Sequence, residues 1–143
     1  MAAYSVYARR CRPTDKAFIF GLVKTLLFPL VEKYFRPDKE MFEKRFALDY
    51  KERHVLMRGK RRIGFCQLSP DGKILFVTGI FLKPAYQRKG LGGLLMKNFE
   101  TFGFKRIRLR IWENNPARGF YEKLGYSVTA KDGHKYLMEK YIA

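Results

Sequence analysis

Apolar positions along the chain of 143 residues follow two periods. Between positions 18 and 31, Phe18, Leu22, Leu26 and Leu30 recur every fourth residue, with Ile19, Val23, Leu27 and Val31 beside them. This spacing draws one wide apolar face on a helix. Thr14 or Asp15 can cap its start, Pro29 should kink or restart it, and Arg36-Pro37 ends it. A second helix is predicted from about residue 37 to 48, with Met41, Phe42, Phe46 and Ala47 as its apolar stripe.

Elsewhere the period is two. Residues 3–8 suit a first strand. After Asp49, residues 55–58 and 63–68 flank the turn Gly59-Lys60, and Pro70-Asp71-Gly72 leads into an apolar strand over 74–82. The result is an antiparallel meander, with Gly79 marking a bulge inside its last strand. Residues 105–112 alternate strictly, Arg106, Arg108 and Arg110 against Ile107, Leu109 and Ile111, as a strand with one polar face does. A helix running to about residue 104 separates this strand from 74–82, so the two should be parallel, joined by a right-handed crossover. Asn115 offers an N-cap, Pro116 a first helical position and Gly125 a stop, which bounds a short helix over 116–124. The tail closes as a hairpin, 126–130 with 135–142, around Asp132-Gly133.

Composition adds a folded core and an unusual charge. Hydrophobic residues make up 47% of the chain, which predicts one domain over residues 1–143 and excludes disorder. Lys and Arg number 30 against 13 Asp and Glu, a formal charge of +17. Such an excess attracts nucleic acid, anionic lipid or another polyanion, or belongs to a protein that is merely basic. Residues 17–31 imitate a signal peptide behind Arg9, Arg10, Arg12 and Lys16. Lys24 and Pro29 interrupt the run and no small-x-small cleavage site follows, so a buried helix explains it better than an export signal or a membrane span. Cys11 and Cys66 form neither a metal pattern nor a disulfide framework, and read as reduced structural residues in a cytoplasmic setting.

Candidate chemistry begins at Gln87-Arg88-Lys89-Gly90-Leu91-Gly92-Gly93, a basic glycine-bearing loop between a strand and a helix. That order offers backbone N–H groups and a positive helix N-terminus to an anion such as a phosphate, although an ordinary strand-to-helix turn has the same outline. The loop lacks the Gly-Lys-Ser/Thr ending of a P-loop. It also lacks the third glycine and downstream acid of the dinucleotide fingerprint.

Two stretches together resemble the GNAT superfamily of N-acetyltransferases. Residues 87–92 are similar to that family's Gln/Arg-x-x-Gly-x-Gly/Ala loop. Residues 114–126, Asn114-Asn115-Pro116-Ala117-Arg118-Gly119-Phe120-Tyr121-Glu122-Lys123-Leu124-Gly125-Tyr126, look like its Asn-x-x-Ala-x-x-x-Tyr-x-x-x-Gly-aromatic helix. The resemblance implies an α/β fold whose mixed, mostly antiparallel sheet has about seven strands and about four flanking helices, with a splayed parallel pair. It implies acetyl-CoA as co-substrate, lying in the slot with its pantetheine arm along the backbone of Ile80, Phe81 and Leu82. Gln87, Arg88, Lys89, Gly90, Leu91, Gly92 and Gly93 would wrap the pyrophosphate, and Asn114 would reach pantetheine. Tyr121 would be the general acid that protonates the departing thiolate.

The pattern departs from much of the family where the base should be. Many members carry a carboxylate on the strand matching 74–82 or a glutamate where this chain has Leu109; Glu113, His54 and a water held by Thr78 remain as candidates. Beyond the cofactor, basic residues remain in Arg58-Gly59-Lys60-Arg61-Arg62 and in the arginine row at 106, 108 and 110. They suit an acidic partner such as RNA, or simply a solvated surface. The implied enzyme acetylates a primary amine on a protein N-terminus, a lysine, an aminoacyl-tRNA or a small molecule, as a monomer or homodimer. The alternative is a CoA-binding module that contacts nucleic acid or another acidic partner.

Overall fold

The structure, a computed structural model, describes residues 5–143. The strand expected over 3–8 therefore lies partly outside the described residues, and its described part is β1, Val6–Arg10. A helix follows in three pieces: α1, Lys16–Leu22, a wider π-helical turn, Val23–Leu27, and α2, Phe28–Val31. Pro29 has no N–H to give to the preceding turn, and the helix widens ahead of it rather than breaking. Next come α3, Lys39–Asp49, and the strands β2, Arg53–Arg58, β3, Arg61–Asp71, β4, Ile74–Val77, and β5, Phe81–Leu82. The chain ends with α4, Leu91–Phe99, β6, Arg106–Trp112, α5, Arg118–Lys123, β7, Ser127–Asp132, and β8, Lys135–Tyr141.

These strands form one sheet in the order β1-β2-β3-β4-β6-β8-β7, with β5 also paired to β3. β4 and β6 run parallel in register Ile74↔Arg106 to Val77↔Leu109; the other pairings are antiparallel. The strand expected over 74–82 is thus two strands. Its first half pairs with both β3 and β6, while its second half stays with β3 alone.

Two cores sandwich the sheet. On one face α4 and α5 cover Leu56, Leu75, Val77, Ile107, Leu109 and Met138. On the other, α1 to α3 cover Val55, Met57 and Phe65. The stripe expected on α3 is narrower than the sequence suggested: Phe42 and Phe46 are buried, but Met41 and Ala47 are exposed. Phe42 and Phe46 sit one turn apart, and the Arg53 guanidinium lies 5.5 and 5.8 Å from their ring centres while its Nε donates to Asp49 at 2.8 Å. A cation over the rings does the work of a further apolar residue.

Asp15 anchors the start of α1. Its side chain reaches back to accept from the Arg12 N–H at 2.8 Å and pairs with Arg9 at 2.8 Å and Arg62 at 3.2 Å. The hydrogen bond from Arg9 lowers the Asp15 carboxyl to about 2, with the Arg12 N–H and Arg62 pulling the same way and burial opposing them. A depressed carboxyl stabilises the fold above its ordinary titration range and loses that contribution as pH falls through the folded value. Arg62 is 42% exposed, so solvent screens part of the arrangement. Asp15→Asn should therefore cost on the order of 1–2 kcal/mol at pH 7. In urea titrations the gap between variant and parent should close as pH drops through about 4 to 2; a gap independent of pH would show that the charge is not responsible.

Gly64 permits the β3–β5 contact. A Cβ there would lie 2.1 Å from the Phe81 carbonyl oxygen, a backbone atom that cannot rotate away. Gly64→Ala should push β5 off β3 and destabilise the protein by about 3 kcal/mol. An unchanged denaturation midpoint would mean that β5 is not held at this distance.

Candidate active site at the fork of the parallel strands

β4 and β6 stop pairing after Val77 and Leu109. β6 continues beside β8, whereas the chain after Val77 stays with β3. There Gln67 donates its N–H to the Thr78 hydroxyl at 2.8 Å, and the Gln67 carbonyl accepts from the Thr78 N–H at 3.1 Å. Gly79, at φ +57, makes the turn that lets β5 resume. The strands diverge and leave a slot.

Tyr121 closes the base of this slot. Ahead of the short helix α5 the Asn115 side chain accepts from the Ala117 N–H at 2.9 Å and closes a turn; the helix itself begins at Arg118 with Ala117 as its N-cap, later than the Asn115 cap and Pro116 start expected, and the chain turns off it at Gly125. The helix directs the phenol at the fork, where its oxygen accepts from the Ile80 N–H at 2.8 Å. The side chain is buried, and burial pushes the phenol above its ordinary value against the opposing effect of the Ile80 donor. At neutral pH Tyr121 is therefore protonated. Because the Ile80 contact uses its oxygen as acceptor, its own proton is left for another group.

The wall beyond β5 is the loop expected to bind an anion. Gln87 donates its side-chain amide to the Leu82 carbonyl at 2.9 Å, which ties the loop to the end of β5. Arg88, at φ +60, is the only non-glycine with positive φ among the described residues, and Gly90 at φ +77 caps α4. Two left-handed positions so close together curl the backbone at the positive end of α4, a shape suited to an anion.

The resulting cleft has a volume of about 580 Å³. Of the residues singled out from sequence, Ile80, Phe81, Leu82, Gln87, Arg88, Gly90, Leu91, Gly92 and Tyr121 line it. Lys89, Gly93 and Asn114 are not among the lining residues; Asn114 instead donates its amide to the Leu30 carbonyl at 3.0 Å. Its neighbour Asn115 lines the cleft. Leu26, Leu30 and Phe120 also line it without having been singled out. Periodicity had placed Leu26 and Leu30 on a helical face, but it carried no sign that the π-helical turn brings that face over the slot.

Neither side-chain candidate for the base reaches the cleft. His54 lies in a separate cavity beside Arg10 and Phe102, and Glu113 pairs with Lys131 and His134. No carboxylate lines the cleft among the described residues. Nor, among them, does any group of acids, histidines and cysteines suit a metal ion, or any helix have the length and apolarity to cross a membrane.

Slot, buried tyrosine and curled loop together form one candidate site. The chain matches the Acetyltransferase (GNAT) family over residues 20–126 and belongs to that family, whose members are N-acetyltransferases using acetyl-CoA. Among solved structures it is similar to an acetyltransferase from Thermus thermophilus, with a TM-score of 0.78, 17% identity and 99% of each chain covered. It is similar also to the PaiA N-acetyltransferase of Thermoplasma acidophilum in complex with coenzyme A, with a TM-score of 0.73, 21% identity, and 96% of this chain and 99% of that one covered. Ard1 from Thermoplasma volcanium aligns with a TM-score of 0.68 and 18% identity, covering 96% of this chain and 98% of that one. Comparison with curated protein sequences gives no match.

Proposed function

We propose that residues 1–143 form a single-domain enzyme that acetylates a primary amine, on a protein N-terminus, a lysine, an aminoacyl-tRNA or a small molecule, by direct attack on the acetyl thioester. The observation that carries this reading is the buried Tyr121 hydroxyl, 2.8 Å from the Ile80 N–H and still holding its proton at the base of the slot. Acetyl-CoA supplies the activated acyl group. The chain's own residues supply position, polarity and one proton.

Backbone along Ile80, Phe81 and Leu82 is the edge offered to the pantetheine arm. The Leu82 carbonyl is already engaged by Gln87 and the Ile80 N–H by the Tyr121 hydroxyl, so an acyl oxygen polarised by the Ile80 N–H would share that donor with Tyr121. The backbone N–H groups from Arg88 to Gly93 suit the pyrophosphate. Asn114 would have to release Leu30 to reach the cofactor, whereas Asn115 already lines the cleft. Tyr121 gives its proton to the departing sulfur. With no carboxylate in the cleft, the amine arrives neutral or passes its proton to water; Thr78, whose hydroxyl accepts from the Gln67 N–H, is not among the residues lining the cleft.

The proposed setting is the cytoplasm, which two free, buried cysteines fit. One observation favours a second reading. The Ile63 carbonyl accepts from the Lys83 N–H at 2.8 Å, which supports the basic turn at 58–62 lying at the loop end of the sheet. A CoA-binding module that contacts nucleic acid would use that turn. Release of free CoA in the presence of a panel of peptides, amines and charged tRNA supports the enzyme. RNA binding with a steep salt dependence, and no CoA release with any amine, would replace it with the module.

A further inference from the structure

Two leucines line the cleft from outside the elements assigned to the cofactor. Leu26, in the π-helical turn, and Leu30, in α2, belong to the helix that covers the sheet face opposite α4 and α5. Leu26 packs into the same apolar cluster as Phe81 of β5, while the Leu30 carbonyl is held by Asn114, just beyond the end of β6. The helix therefore crosses the fork from one arm to the other. Its course is pinned further on, where Tyr34 stacks on Trp112 at 5.3 Å and on His134 at 4.0 Å. Both leucines are only partly buried, so apolar surface is left facing the slot.

Charge is distributed unevenly along the cleft. Arg88, in the loop that suits the pyrophosphate, is the only charged residue lining it among the described residues. Beside the two leucines the cleft therefore offers neither an acid nor a cation. A charged substituent laid against this wall would lose water and gain no partner, whereas an apolar one would leave water favourably. Acetyl-CoA takes the backbone edge at Ile80 to Leu82 and the loop before α4, which leaves the wall to the second substrate.

We propose that Leu26 and Leu30 hold the substituent next to the acceptor's amino group, and that the amine this enzyme acetylates carries an apolar side chain there. This rests on the reading of the chain as an N-acetyltransferase. A polypeptide terminus beginning with Leu or Met and a free amine of the same shape share this chemistry.

The test measures CoA release with one peptide sequence carrying Leu, Met, Ser, Asp or Lys at its first position, and with leucinamide as a free amine. Leu and Met should exceed Ser, Asp and Lys by at least about tenfold in kcat/KM. Comparable turnover of leucinamide assigns the wall to a free amine, and turnover of the peptides alone assigns it to a polypeptide terminus. Leu30→Lys should move the preference between Leu and Asp at least about tenfold toward Asp, and the milder Leu26→Ala should narrow the preference for Leu over Ser. A residue that serves packing alone would lower all acceptors alike. In parallel, peptides with an isocaproyl or a propionyl group in place of the first residue are titrated into the CoA-loaded protein. The larger group should bind at least about tenfold more tightly, and Leu26→Ala should shrink that margin. Equal turnover of apolar and polar first residues overturns the proposal. So does a preference that both variants leave unchanged, or a loss of CoA affinity in them with the acceptor preference intact. If no amine is acetylated, the enzyme reading fails, and the titration still decides whether the leucine wall selects an apolar group.

Discussion

Tyr121→Phe should lower acetyl transfer by about a hundredfold while leaving the fold intact. The ring remains in the core against Phe120 and Tyr126, whose centres lie 4.9 and 6.2 Å away, so packing is conserved. What goes is one hydroxyl, and with it both the acceptor for the Ile80 N–H and the proton for the departing sulfur. The pH profile distinguishes the acid from a merely structural tyrosine. An acid works only while protonated, and burial raises the Tyr121 phenol, extending its protonated range upward. Meanwhile the amine must be neutral, and no cleft carboxylate takes its proton. With an α-amine acceptor, the parent should gain activity as pH rises through about 8 and show no falling limb below about pH 10. The phenylalanine variant should keep that rise at a much lower level. Equal turnover of the two proteins across this range would remove Tyr121 from the chemistry.

Gly92→Glu should weaken CoA binding by at least a hundredfold, on the order of 3 kcal/mol. Gly92 lies in the first turn of α4, and a Cβ there would meet the edge of the Phe120 ring at 3.0 Å. The longer side chain must enter the cleft or displace that ring. Its carboxylate would also stand at the helix end that attracts a phosphate. Gly92→Ala separates the two effects, since a few tenths of an ångström of movement by Phe120 accommodates a methyl group. It should cost only a few-fold in affinity. Leu95, Met96 and Phe99 on the same helix remain buried in both variants, so circular dichroism should be unchanged. A near-normal dissociation constant for Gly92→Glu, measured by calorimetry, would refute the placement of the pyrophosphate at this loop.

Much of this site was legible before any coordinates. Gln87, Gly90, Asn115, Tyr121 and Gly125 act through their own backbone and nearest turns, where spacing along the chain is also spacing in space. Phe42 and Phe46 were legible for the same reason. Met41 and Ala47 were not: adjacent apolar residues share a stripe on paper, and the packed neighbour determines how wide that stripe is. Where the Asn114 amide points depends on the Leu30 carbonyl, 84 positions away.

The longest misreading was the strand at 74–82. Of its residues only Gly79 disfavours a strand, and nothing local says that β6 departs after Leu109 while β3 remains. The arginine row shows the same limit, because Glu139 on another strand neutralises two members and leaves Arg110. From its order of residues alone the chain specified the apolar face of its first helix, its parallel crossover and the glycine-bearing loop before α4, since each follows from periodicity and local backbone preference. Where the slot opens, which phenol oxygen meets which N–H, and which cations stay unpaired were settled in the folded molecule. Those features depend on contacts between segments far apart in the chain, and no local pattern encodes the distance between them.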